Sequence, residues 1–261
     1  MYQLDDSIVN PKAGVKSSDK DPNLFGRNIY IEVKNGVGLN SDNEARINMT
    51  GLNERKEDLK TLSQVDPSTV TWETNADGDS IAVIKDRLAI GVQQSGVGSI
   101  SITTTGSTNN NVFVESRKDK SRTLANPYVN LDIAKIAAGA GNVTISSLGS
   151  INDVNTDSAV NANNYSTVAT IAGGNIMLLA GEKGTNNGNI GSATQYMRLY
   201  ADGNLTATAT GNIYLEQAVV NSVAKDMNVV TMTAGVENES YSAASGNIYL
   251  RSGGSIYGVK Q

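Results

Sequence analysis

GNIYL at Gly211–Leu215 returns letter for letter at Gly246–Leu250, and this pair decides how the chain is read. Looser versions stand at Gly141–Ile145 (GNVTI), Gly174–Leu178 (GNIML) and Gly203–Ala207 (GNLTA). Shorter echoes occur at Gly98–Ile102 (GSISI), Gly149–Ile151 (GSI), Gly188–Ile190 (GNI) and Gly254–Ile256 (GSI). A strand-sized phrase that keeps recurring is the mark of a stacked repeat protein. Within each phrase the aliphatic residues sit two apart, as in Val143/Ile145, Ile176/Leu178, Ile213/Leu215 and Ile248/Leu250. In a strand such positions face one side, here the inside, so Thr144, Met177, Tyr214 and Tyr249 face outward.

Spacing gives the repeats a grammar. Second strands of successive units are expected to open at Gly141, Gly174, Gly203 and Gly246, and third strands at Gly149, Gly188, Gly211 and Gly254. A further β-like run precedes each second strand: Leu131–Gly139, Thr167–Gly173, Met197–Gly203 and Val229–Gly235. Three short strands joined by tight turns make one coil of a β-helix. The unit length varies because polar loops are inserted at Asn152–Ser166, Glu182–Gly188, Gln217–Asn228 and Val236–Ser245. Loops that leave from a corner do not disturb the stack. The phrase glycine is expected to supply positive φ at a corner. The asparagine beside it offers an amide that can bond to its counterpart one coil away.

The first third of the chain is less regular. Asn28–Val33 (NIYIEV) resembles a coil strand, while Gly51–Asp66 has Leu52, Leu59, Leu62 and Val65 at helical spacing, with Asn53 as a cap and Pro67 beyond the end. Thr69–Thr74, the turn-rich NADGDS and Ser80–Lys85 read as a β-hairpin. The organisation expected is therefore irregular coils over 1–50, an inserted helix and hairpin over 51–93, and regular coils over 94–261.

Composition narrows the chemistry. The chain has no Cys and no His, which removes thiolate chemistry, the commonest metal ligand and the commonest general base. A formal net charge of −5 without clustered Lys or Arg gives no footprint for nucleic acid. No apolar run approaches the ~20 residues of a membrane-spanning helix, so no membrane insertion is expected. The first residues, MYQLDDSIVNPKAG, lack the basic start and apolar centre of a signal peptide. The sequence reads as a piece of a longer chain whose coils continue past Gln261.

The strings MRLYADGNLTATATGNIYLEQ (Met197–Gln217) and SGNIYLRSGGSIYGV (Ser245–Val259) resemble the repeat region of filamentous haemagglutinin-type exoproteins. These are the large bacterial adhesins, haemolysins and leukotoxin-like proteins of two-partner secretion. The resemblance covers about Leu131–Gln261. It implies a right-handed parallel β-helix, passage through an outer-membrane transporter, and display at the bacterial surface or release from it. It also implies contact with a host or neighbouring-cell surface protein or glycan.

No catalytic, cofactor-binding or metal residue is assigned. Asp132, Asp202 and Glu216 are sparse and not paired in neighbouring units, which argues against a carbohydrate-active β-helix enzyme or tailspike-like depolymerase, the alternative function. Two loops alternate oxygen ligands, Asn75-x-Asp77-x-Asp79 and Asp153-x-Asn155-x-Asp157. Both lack the later Gly and Glu of a calcium loop, and a turn is preferred. A threonine array of the ice-binding kind is not expected, since the aligned positions hold Thr144, Met177, Thr206 and Tyr249. Tyr30, Tyr214 and Tyr249 share the middle position of their phrases and would stack if their coils align. The reading overall is an all-β chain, a right-handed parallel β-helix of roughly eight coils, about 40 Å long at ~4.8 Å per coil. It would serve as a stalk that presents loops.

Overall fold

The structure is a computed structural model that describes residues 24–38, 45–48, 70–74, 76, 78, 80–84, 90–107, 110–117, 130–156, 163–181, 188–235 and 246–259. Among them every regular element is a strand, and 14 strands form one parallel sheet. The expected helix at Gly51–Asp66 lies outside the described residues.

The pairings trace two rows, the second holding strands that change partner along their length, as Leu131–Ile133 pairs with Ile151–Asp153 and Ile136–Ala137 with Ile171–Ala172. The first row stacks Val112–Ser116, Val143–Ser147, Ile176–Ala180, Asn204–Ala209, Met227–Ala234 and Ile256–Gly258, each parallel to the next. The second stacks Leu24–Val33, Ile90–Thr104, Leu131–Ala137, Ile171–Gly173, Met197–Ala201, Ile213–Gln217 and Ile248–Ser252. Ile151–Asp153 pairs with the start of Leu131–Ala137, and Ile90–Val92 crosses to the first row against Val114–Ser116. Parallel neighbours distant in sequence, wound about one interior, define a parallel β-solenoid.

Period-two sequence is what makes this possible. Val143–Ser147 and Ile176–Ala180 both alternate buried with half-buried residues. In-register pairing then files like on like: Val112, Val143, Ile176 and Leu205 form one column, all at most 1% exposed. Ile31, Ile102, Ile136, Ile171 and Leu199 form another, at most 7% exposed. Each such side chain is worth about 1.5–3 kcal/mol of burial. β-Branched residues suit this surface because their restricted χ1 loses little on packing.

The asparagines form ladders as expected. Asn111 Oδ1 accepts from the Asn142 backbone N–H at 2.8 Å, Asn142 Oδ1 from Asn175 at 3.0 Å, and Asn175 Oδ1 from Asn204 at 2.8 Å. A second ladder runs from Asn189 to Asn212 at 2.7 Å and from Asn212 to Asn247 at 2.8 Å. Each side chain thus satisfies a donor at the bend of the next coil.

Two expectations need correction. The phrase glycines do not supply positive φ; the glycines that do include Gly139, Gly181 and Gly235, which lie outside the phrases. What the phrase glycine provides is closeness. A Cβ on Gly246 would lie 2.3 Å from the Gly211 carbonyl oxygen, and one on Gly174 would lie 2.6 Å from that of Ala140. The second correction concerns register. Gly246–Leu250 does not align with the phrase at Gly203. It stacks on Gly211–Leu215, with Ile213 opposite Ile248 and Leu215 opposite Leu250. Met227–Ala234, read from the sequence as a preceding strand, takes the place on Asn204–Ala209. Both rows present the same alternation, so a phrase can sit on either. The length of the preceding excursion chooses between them. Before Met227–Ala234 the chain makes a tight hairpin, Val219–Val220 against Val223–Ala224, turned by Asn221 and Ser222 at φ of 50° and 63°.

The inserted element leaves and rejoins one row. Val37 bridges to Val112, and Ile90 pairs with Val114, two positions further along the same strand. Between them Ala45–Asn48, Ser80–Ile84 and Val70–Thr74 form a separate antiparallel sheet in that order. The hairpin expected over Thr69–Lys85 is present, with Thr74 opposite Ser80. Its third strand, Ala45–Asn48, carries no signal of its own in the sequence.

Candidate functional site

Asp132, Asp202 and Glu216, the acidic residues singled out from the sequence, each have a structural partner. Asp132 Oδ1 accepts from Asn152 Nδ2 at 2.8 Å, and Asp202 is ion-paired with Lys225. Asp153 is buried, and both its oxygens are taken by Arg198, at 2.7 Å from Nε and 3.0 Å from Nη2. Thr170 Oγ1 donates to the same carboxylate at 2.5 Å. Arg198 also reaches the Asn155 carbonyl at 2.9 Å, and Asn155 Nδ2 donates to the Ala134 carbonyl at 2.6 Å. In the loop with calcium-like spacing, then, Asp153 and Asn155 hold a buried arginine; Asp157 lies outside the described residues. So do Asn75, Asp77 and Asp79 of the other. Among the described residues no group of three or more His, Cys, Asp or Glu gathers.

Arg198 begins a row of alternating charge. It sits opposite Glu216, and Glu216 sits opposite Arg251. Arg251 Nη1 is 3.1 Å from Glu216 Oε2, and its other nitrogen donates to the Asn164 carbonyl at 2.7 Å. The guanidinium lies over the Tyr165 and Tyr196 rings at 5.6 and 5.5 Å. Glu216 Oε1 accepts from the Ser166 backbone at 2.5 Å, and Val219 donates to the Ser166 carbonyl. Residues 164–166, read from sequence as part of a projecting loop, instead strap the coil of Glu216 and Val219 to that of Arg251. A lone Arg in the apolar run MRLYA was the one sequence signal for a buried partner.

Of the expected tyrosines, two stack: Tyr214 and Tyr249 lie 4.7 Å apart with rings 4° from parallel. The third member is Tyr196, tilted at 5.7 Å from Tyr214, in place of Tyr30, which faces Ser101 and is exposed. The outward column of the first row reads Phe113, Thr144, Met177, Thr206, Thr231, with Thr231 standing where Tyr249 was expected.

Along that column runs a groove of about 310 Å³. Asn142, Asn175 and Asn204 line it, together with Thr144, Met177 and Thr206. Phe113 closes one end and Val230 the other. Val230 is the extra residue of a bulge, since Leu205 pairs with Val229 and Thr206 with Thr231. Bulges re-aim side chains beside binding sites more often than elsewhere. The sequence aligned Thr144, Met177 and Thr206, and the structure bears that out; only Val230 enters through a register shift that no local pattern announces.

The fold and these surfaces define the class, a parallel β-solenoid with ladder-lined faces. No family model, curated protein or solved structure matches the chain. No helix among the described residues is long and apolar enough to cross a membrane.

Proposed function

We propose that this chain is a stalk segment of a large secreted bacterial surface exoprotein, of the adhesin or toxin type, wound as a right-handed β-helix with three short strands per coil. Parallel strands joined by a crossover are right-handed in nearly all proteins. The single observation that carries the stalk reading is continuity. Aliphatic columns and an asparagine ladder run in register through Val143–Ser147, Ile176–Ala180 and Asn204–Ala209, while the antiparallel sheet of Ala45–Asn48, Val70–Thr74 and Ser80–Ile84 leaves and rejoins one row at Val112 and Val114. Such a stack resists bending because each coil is held by its neighbours on all faces. Its surface then presents loops and grooves to a host or neighbouring-cell surface protein or glycan, after export through an outer-membrane transporter.

The test is retention on cells. Fluorescently labelled chain should remain on bacterial or epithelial surfaces after washing, and small-angle scattering should give the cross-section of a rod. Release of reducing ends from bacterial polysaccharides would instead favour the depolymerase alternative and end the stalk reading.

A further inference from the structure

We infer that the outer edge of Ile248–Ser252 accepts an extended protein strand, added parallel and in register, with the pattern Gly-Asn-aliphatic-Tyr-aliphatic-acidic. This goes beyond the stalk reading and does not depend on it.

The first reason is that the structure already holds such a pair one coil below. Gly246–Leu250 repeats Gly211–Leu215 letter for letter, so the edge it offers is the edge that Ile213–Gln217 offers to it. There the Ile213 N–H donates to the Asn247 carbonyl at 2.9 Å, and Asn212 Oδ1 accepts from the Asn247 N–H at 2.8 Å. Alternate residues of a parallel strand turn their N–H and C=O groups to opposite neighbours. Ile248 and Leu250 therefore turn theirs to the outer side, as Ile213 and Leu215 turn theirs toward Ile248–Ser252. No described strand lies there. A strand edge of this kind recognises extended backbone.

The second reason is apolar surface. Ile248 and Tyr249 are 42% and 45% exposed, and in the neighbouring row Ile256 and Tyr257 are 46% and 53% exposed. Terminal position alone does not produce this. Leu24–Val33 also pairs with one described strand only, yet its Ile29, Ile31 and Val33 are at most 7% exposed. An incoming aliphatic pair would extend the files that end on Ile248 and Leu250. An incoming tyrosine would take the ring face of Tyr249 turned away from Tyr214, as Tyr249 takes that of Tyr214 at 4.7 Å.

Charge is the third. Opposite charges on facing strand positions stabilise a pair and like charges destabilise it. Glu216 lies opposite Arg198, and Arg251 opposite Glu216. The next position, facing Arg251, calls for a carboxylate. Of the two copies of the phrase in this chain, that selects GNIYLEQ (Gly211–Gln217) over GNIYLRS (Gly246–Ser252).

Fluorescence anisotropy of the full chain with dye-labelled peptides tests this. GNIYLEQ should bind with Kd at or below about 1 mM. GNIYLRS should bind about threefold more weakly or worse, with the gap closing in high salt. N-methylation of the peptide's Tyr and Glu, whose N–H groups face the edge, should abolish binding, whereas N-methylation of its Ile and Leu should be tolerated. Ile248→Lys should weaken binding about tenfold, because a charge then stands where an aliphatic contact forms. The methylated peptides leave the protein unaltered and decide the matter if that variant fails to fold. Absence of GNIYLEQ binding, equal binding of a scrambled heptamer, or equal effects of the two methylation patterns would each overturn the inference. A dimer of the chain that Ile248→Lys dissolves and the peptide does not would assign this end to a second copy, and overturn it as well. Cell retention without peptide binding would sink this inference alone.

Discussion

Gly211–Leu215 and Gly246–Leu250 are the same five residues in two settings. Ile213 is fully buried, with Ile190 on one side and Ile248 on the other. Ile248 is 42% exposed, because it has Ile213 on one side and no described strand on the other. Tyr214 is half-buried between Tyr196 and Tyr249, whereas Tyr249 is 45% exposed. Identical sequence therefore carries different stability according to how many neighbours stack on it. In a solenoid the energy belongs to interfaces between coils more than to the coils themselves.

The sharpest way to break this comparison is a charge at the paired positions. Ile213→Asp should abolish the cooperative fold of the neighbouring coils, since an unpaired carboxylate would stand in an aliphatic column. Ile248→Asp and Tyr214→Asp should each cost far less. Guanidinium unfolding of the three variants decides it, and equal losses would refute the inside–outside assignment.

Next in size is the charged row. Arg198→Ala leaves Asp153 buried without its partner and should cost about 3–5 kcal/mol. Arg251→Ala takes the ion-pair partner from Glu216, a buried carboxylate that keeps the Ser166 N–H and still lies opposite Arg198, and should cost less, about 1–3 kcal/mol. Urea midpoints within error of each other would mean that the Asp153 pairing carries no special weight.

The smallest effects concern the ladders. Asn175→Ala removes the acceptor for the Asn204 N–H and should cost about 0.5–1.5 kcal/mol. Asn247→Ala, in the exposed strand, should be close to neutral in thermal melts. A larger loss at Asn247 than at Asn175 would reverse the ranking of the two settings. Tyr249→Ala should remove a stacked pair worth about 0.5–1.5 kcal/mol, visible as a small drop in melting temperature and a change in near-ultraviolet circular dichroism.

Much of the fold was legible because a strand writes its geometry into every second residue. Val143/Ile145 and Ile176/Leu178 point inward as their spacing requires, and the asparagine after each glycine bonds forward to the next coil. The hairpin at Thr69–Lys85 was legible from its turn residues. The role of the phrase glycine was misjudged. Its Cβ is excluded by a carbonyl one coil away, and that carbonyl belongs to a residue about 35 positions distant. The strap was hidden for the same reason. Arg198 meets Asp153 across 45 residues, and Arg251 meets Asn164 across 87.

By itself, then, the sequence determined that this chain is built of short strands with one aliphatic face, that these strands repeat, and that asparagine and glycine mark their bends. Those are local properties, set by the two-residue period of extended backbone and by side-chain size. Only the tertiary structure decided that Gly246 follows Gly211 and not Gly203, and that a buried arginine takes the carboxylate of a calcium-like loop. Register between coils is a property of pairs of strands. It depends on how much chain each excursion consumes before the next strand begins, and no single stretch of sequence contains that information.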